Sequence, residues 1–211
     1  MRTKIILQNF FIEGSVGKIE TVLAEPRELP KGIAVIAHPH PLHGGTMDNK
    51  VVYTLFNSML ELGFIAVKFN FRGVGKSEGM FDNGIGETED IVTVTQTIQH
   101  QFDHHLHDKP LLLAGFSFGG GVQLRAVERL NPQSLVLVAP SIQTADTTAS
   151  CEGVEQVLII QGDQDEIIPL TTILDWATPH TLPIVVIPGA EHFFHGKLTI
   201  LKRTIHRFMK I

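Results

Sequence analysis

The chain has 211 residues, 43% of them apolar and 18% charged, enough for one sizeable core and too few for two comfortable domains, so a single domain over residues 1–211 is expected. Seventeen Lys and Arg against 22 Asp and Glu give a formal charge of −5, which excludes the basic footprint of a nucleic-acid or anionic-membrane binder and points to a small-molecule partner. Low charge with 19 glycines suits a sheet covered by helices on both faces and excludes intrinsic disorder and collagen-like order.

Cys151 is the only cysteine, so no intrachain disulfide and no multi-cysteine metal site can form; this usage favours a reducing compartment and a cytoplasmic location. No apolar run approaches the ~18 residues of a membrane span. The start Met1-Arg2-Thr3-Lys4 followed by Ile5-Ile6-Leu7 has a superficial likeness to a secretory signal, but Gln8, Asn9 and Glu13 interrupt it, and it reads as a first strand.

Lys4 to Ile12 and Lys18 to Ala24 flank the turn-rich Gly14-Ser15-Val16-Gly17 and predict an antiparallel hairpin. Beyond it, short apolar runs at Gly32–Ala37, Phe64–Phe69, Pro110–Gly115, Ser134–Ala139, Glu155–Ile160 and Pro183–Ile187 alternate with segments of helical period, the signature of successive βαβ units. The expectation is therefore an α/β fold with a mostly parallel eight-stranded sheet. Asp48 can cap a helix carrying Val51, Val52, Leu55, Phe56, Met59 and Leu60, and Gly63 stops it. At the other end, Leu198, Leu201, Ile205 and Phe208 share one helical face while Lys202, Arg203, Arg207 and Lys210 lie opposite.

The sharpest local signal is Gly115-Phe116-Ser117-Phe118-Gly119-Gly120-Gly121, placed between an apolar strand and a helix through Val122, Leu124, Ala126 and Val127. A serine at such a turn projects from the carboxyl edge of the sheet. Serine is a weak nucleophile at its own pKa, so it demands a histidine base and a carboxylate to orient that base. Two later strands end in Gly162-Asp163-Gln164-Asp165-Glu166 and Gly189-Ala190-Glu191-His192-Phe193. From residue types alone, Asp163, Asp165 and Glu166 compete as the carboxylate, and His195 and His206 stand as alternatives to His192.

With these segments the chain resembles the α/β-hydrolase superfamily, whose Ser, Asp, His order matches Ser117, Asp165 and His192. The resemblance also covers Arg72-Gly73-Val74-Gly75-Lys76-Ser77 and, more narrowly, a His-Pro-His-Pro-Leu-x-Gly-Gly loop from His38 to Gly45, as in small serine hydrolases without a cap. It implies an oxyanion hole from the backbone N–H groups of Phe118 and of His40, since Pro39 and Pro41 have none. It also implies no cap domain, because only Ser141 to Gln156 stand where lids are inserted, and an open site shaped by loops 38–48, 71–87 and 142–151. Phe193 and Ile168 are expected to contact substrate, with Phe118 and Phe194 nearby. The implied activity is hydrolysis of small soluble esters through an acyl-enzyme, without metal or other cofactor. Acyl transfer, thioester or peptide cleavage by the same residues, and a non-catalytic binding module, are the alternatives; oligomeric state is left open.

Three other features read as structural. His38, His40 and His43 lack a carboxylate or cysteine at ligand spacing. His100, His104, His105 and His107 read as a solvated helix end and loop. Gly75-Lys76-Ser77 is not a phosphate loop, because Asn70 occupies the place of its first glycine. Arg72 is expected in a buried ion pair with Glu87 or Asp90, and Asn70 replaces the aspartate common in the resembled family, which puts the usual charge network there in question.

Overall fold

The computed structural model describes residues 7–106, 108–145 and 151–209. Eight strands, β1 (Leu7–Gly14), β2 (Gly17–Ala24), β3 (Ile33–Ala37), β4 (Ile65–Phe69), β5 (Leu111–Phe116), β6 (Ser134–Val138), β7 (Gln156–Gly162) and β8 (Ile184–Ile187), form one sheet. Five helices join them: α1 (Lys50–Leu62), α2 (Ile85–Leu106), α3 (Phe118–Leu130), α4 (Leu170–Ala177) and α5 (Leu198–Phe208). The strand order is β1-β2-β4-β3-β5-β6-β7-β8. Strands β3 to β8 are parallel to one another, and β2 joins β4 antiparallel. The hairpin pairs Leu7 with Ala24 through to Gly14 with Gly17, so its turn is only Ser15-Val16, tighter than the expected four residues; residues 4–6 lie outside the described residues.

Strands β3 and β5 are apolar throughout because both faces are covered. Alternate side chains feed two cores. Val35, Leu113 and Leu135 pack with Ile91, Val122 and Ile173 from α2, α3 and α4; Ile36, Leu112 and Val136 pack with Leu55, Phe56, Leu201 and Ile205 from α1 and α5. Cys151 sits in the first of these cores, where burial pushes its thiol up to about 11 and disfavours the thiolate. Residues 139–155 alone connect β6 to β7, which leaves no room for a cap domain. Among the described residues, no helix is long and apolar enough to cross a membrane.

One helix end differs from expectation. Asn49, not Asp48, caps α1 by accepting from the Val51 N–H at 2.8 Å, and Gly63 ends it at φ 97°. Asp48 is drawn instead to the buried ammonium of Lys68, 2.7 Å away. His100 and His104 lie exposed in the last turns of α2, and His107 lies outside the described residues.

The loop after β4 is held by polar groups that the fold buries. Asn70 accepts from the Met47 N–H at 2.9 Å and donates to Glu20 at 2.8 Å, a pairing that an aspartate could not make beside a second carboxylate. Arg72 reaches Asp90 on α2: Nη2 lies 2.7 Å from Oδ1, Nε 3.1 Å from both oxygens, and the Arg72 backbone N–H donates to Oδ2 at 2.9 Å. Glu87, the other expected partner, accepts instead from the N–H groups of Asp82 and Gly84, satisfying donors at the start of α2. Removing one member of a buried pair leaves an uncompensated charge, so Asp90→Ala is expected to lower stability by about 3–5 kcal/mol. Urea unfolding checks this; a loss below about 1 kcal/mol would mean that water replaces the carboxylate around Arg72.

Candidate active site

The chain leaves β3 for β4 on one side and, after returning, leaves β5 for β6 on the other. The carboxyl ends of the neighbouring strands β3 and β5 therefore open a crevice, the usual ligand position in open α/β sheets. Ser117 follows β5 directly, at φ 55° and ψ −120°. Its backbone carbonyl accepts from the N–H groups of Gly120, Gly121 and Ser141, and its own N–H donates to Val138 on β6. Gly119 must lack a side chain, since a Cβ there would stand 2.5 Å from the His38 carbonyl oxygen. The turn is thus locked with its hydroxyl at the sheet edge.

Two further strands bring the partners. His192, four residues beyond Pro188 in the loop after β8, places Nε2 3.0 Å from Ser117 Oγ and Nδ1 2.7 Å from Asp165 Oδ2. All three side chains are buried or nearly so. Asp165 Oδ1 accepts from the N–H groups of Ile167 and Ile168 at 2.9 and 2.8 Å, and Oδ2 also accepts from Gln161 Nε2 at 3.0 Å. Burial opposes its ionisation, but the His192 hydrogen bond, the two backbone N–H groups and the imidazole's charge together hold it below the ordinary carboxylate range. Asp163 is exposed and accepts from the Gly189 N–H at 2.6 Å, tying down the histidine loop rather than facing the imidazole. Glu166 is exposed, His195 pairs with Glu191, and His206 lies beside Glu61 on the far helix layer. Of these carboxylates and imidazoles, the structure brings Asp165 and His192 into one hydrogen-bonded chain with Ser117.

A cleft of about 290 Å³ opens over Ser117, lined by Phe118, His40, His43, Ser141, Ile142, Gln143 and the 167–172 segment, which includes Ile168. Among the described residues, the backbone N–H groups of His40 and Phe118 donate to no protein acceptor. Ile168, expected to contact substrate, lines the cleft. Phe193 is not among the lining residues: its ring stands edge-on to His192 at 5.1 Å and packs on Phe116. Phe194 is fully buried in the core. The 71–87 loop backs the cleft instead of lining it, through Phe81 against His40 and Phe118, and the stretch after β7 takes its place. Of the 142–151 loop, residues 146–150 lie outside the described residues. Burial, and then the neighbouring His43, lower the pKa of His40 and favour its neutral form.

The contacts of two residues beside this site were not legible in the motifs. Gln161, inside β7, donates to both Asp165 and the Ile168 carbonyl; a lone glutamine in an apolar strand was its only sequence signal. His38, fully buried, bridges Pro39 and Phe71. Burial pushes His38 down to about 4, against a smaller opposing effect of the Pro39 carbonyl. Between pH ~6.5 and about 4 the unfolded chain binds a proton at this position that the folded chain refuses, so folding stability falls as the pH drops through that window. The loss attributable to His38 is about 3 kcal/mol, expected as the pH-dependent part of the stability difference between wild type and His38→Gln in urea melts at pH 7 and pH 4. A difference independent of pH would contradict a histidine held neutral.

The family described as serine aminopeptidase, S33 (Hydrolase_4) matches residues 30–158. An α/β serine hydrolase without lid from Xanthomonas campestris is similar in structure, with a TM-score of 0.88 and 35% identity over 100% of this chain and 95% of that one. An α/β serine hydrolase homologue from Coxiella burnetii has a TM-score of 0.81 and 38% identity, covering 96% of this chain and 97% of that one. An uncharacterized protein of Rickettsia prowazekii (strain Madrid E) is 29% identical over 96% of this chain and 89% of its own length. With its lid-less sheet and a serine turn at the crevice, the chain belongs to the α/β serine hydrolases, in the Hydrolase_4 family.

Proposed function

We propose that this protein hydrolyses small carboxylic esters, with Ser117 as nucleophile, His192 as general base and acid, and Asp165 as the carboxylate that orients it. The observation that carries the reading is the continuous chain Asp165–His192–Ser117, with bonds of 2.7 and 3.0 Å, whose serine end lines the cleft. Ser117 Oγ attacks the ester carbonyl while its proton passes to His192 Nε2. The oxygen of the tetrahedral intermediate takes up negative charge against the N–H groups of His40 and Phe118. As the intermediate collapses, His192 returns the proton to the leaving alcohol. Water then enters by the same steps in reverse and releases the acid and the free serine.

The cleft walls favour an ester over a peptide with a free amino terminus. Ile142, Ile167, Ile168 and Phe118 offer apolar contact to an acyl chain, and the described lining holds no carboxylate to pair with the ammonium of a free amino terminus. At about 290 Å³ the space lies at the lower limit for small-molecule sites, which fits a short acyl group.

A fluorophosphonate probe is expected to label the wild type and not Ser117→Ala, and short p-nitrophenyl esters are expected to turn over with the same dependence. Labelling without turnover would favour acyl transfer or a thioester or peptide substrate; neither signal would favour a binding module and overturn the proposal. His192→Ala should lower kcat/KM by a factor on the order of 10⁴–10⁶, whereas His40→Ala, which keeps its backbone donor, should lose less than about 10². Equal losses in steady-state assays would show that the His40 side chain acts in the chemistry.

A further inference from the structure

We infer that His38 is a positioning residue whose imidazole aims the His40 N–H into the oxyanion site by holding the carbonyl end of the Pro39–His40 peptide. The inference rests on the reading of Ser117 as nucleophile. His38 leaves the carboxyl end of β3 with its ring fully buried, edge-on to Phe71 at 4.7 Å. The Phe71 backbone N–H donates to Nε2 at 3.0 Å, and a backbone N–H can only donate. Nε2 is therefore bare, and the proton of the neutral ring sits on Nδ1, which donates to the Pro39 carbonyl oxygen at 2.6 Å.

A peptide unit is planar, and no cis peptide occurs among the described residues, so the Pro39 carbonyl and the His40 N–H point in opposite directions. Fixing the first fixes the second. The His40 N–H is the end left without a protein acceptor among the described residues, and His40 lines the cleft beside Ser117 and Phe118. The following peptide is held as well, because the His40 carbonyl accepts from the N–H groups of His43 and Gly45 at 3.1 and 3.0 Å. Gly45 lies so close that any Cβ there would overlap the Pro39 carbonyl. The His38 ring thus joins the loop after β3 to the loop after β4, and the direction of one N–H follows from the join.

The first measurement is made on the wild type: nitrogen-15 spectra of histidine-labelled protein at pH 7, with the His38 resonances assigned by their loss in His38→Gln. A protonated Nδ1 and a bare Nε2 are expected; the opposite tautomer would overturn the inference whatever the activity proves to be. The second is kinetic. His38→Ala should lower kcat on p-nitrophenyl esters by about 10²-fold with KM changed less than about threefold, the pattern of a lost transition-state donor. His38→Gln, whose amide can both donate and accept, should recover at least about tenfold of that loss. Affinity for an alkyl boronic acid, which forms a tetrahedral adduct on the serine, should fall in step with kcat. A folded His38→Ala with unchanged kcat, or with the loss confined to KM, would overturn the inference. Failure of the wild type to take the fluorophosphonate probe would instead remove the nucleophile reading and leave the tautomer result standing as a statement about the loop.

Discussion

Ser117 occupies a backbone conformation, φ 55° and ψ −120°, that costs a non-glycine residue about 1–3 kcal/mol, and much of the surrounding structure serves to keep it there. The strain is tolerated because the turn is over-determined: three N–H groups converge on its carbonyl, its own N–H is bound by the neighbouring strand, and Gly119 lets the β3 loop pass against it. A serine relaxed into a helical conformation would point its hydroxyl along the helix, away from the crevice. The same turn supplies local acceptors at the start of α3: with no side-chain cap, the Ser117 carbonyl takes the N–H groups of Gly120 and Gly121, while that of Phe118 meets no protein acceptor among the described residues.

The other functional groups are placed by loops that are themselves cross-tied. Asp163 binds the Gly189 N–H, Gln164 donates to the Ala190 carbonyl, and Glu191 accepts from Phe193 and His195, so the segments that carry Asp165 and His192 are joined to each other before they reach Ser117. On the opposite flank, Arg72 with Asp90 and His38 with Phe71 join the β4 loop to α2 and to the His40 loop. The cleft has no cap to close over it, so its geometry must be present before substrate arrives. Rigid, hydrogen-bonded rims meet that requirement.

Much of this was legible from the sequence where the cause is local. The alternation of apolar runs and helical periods located all eight strands to within a few residues, and the glycine pattern around Ser117 identified the turn because its steric demand acts on its own neighbours. What depended on partners distant in the chain was harder to read. Asp48 has a good capping residue's chemistry, but a buried Lys68 from another strand takes its carboxylate, and Asn49 caps α1 instead. Asp163 and Asp165 differ only in which way two adjacent turns face, which is decided by Gly189 and His192 arriving from β8. Phe193 adjoins the histidine in sequence but packs edge-on against its ring and on Phe116, outside the cleft lining. Gln161 gave almost no signal, since nothing in an apolar strand foretells that one polar side chain will meet the carboxylate four residues later.

Histidines 38 and 192 show how the fold differentiates one side-chain type. Both rings are buried, and both use their two nitrogens. His38 faces a neutral carbonyl and a neutral N–H, so nothing compensates a positive charge, and burial holds it neutral with a defined tautomer. His192 faces the Asp165 carboxylate on one side and a hydroxyl on the other, so a proton arriving from the serine meets a negative charge already held by Gln161 and two backbone donors. The first environment suits a ring that keeps one charge state, as the proposed orienting of the Pro39–His40 peptide needs. The second suits the part proposed for His192, taking a proton from the serine and passing it on. The difference lies in what stands on the far side of each Nδ1, and it follows from which strands end beside which: β4 and the loop after β3 surround His38, while β7 brings the carboxylate to His192.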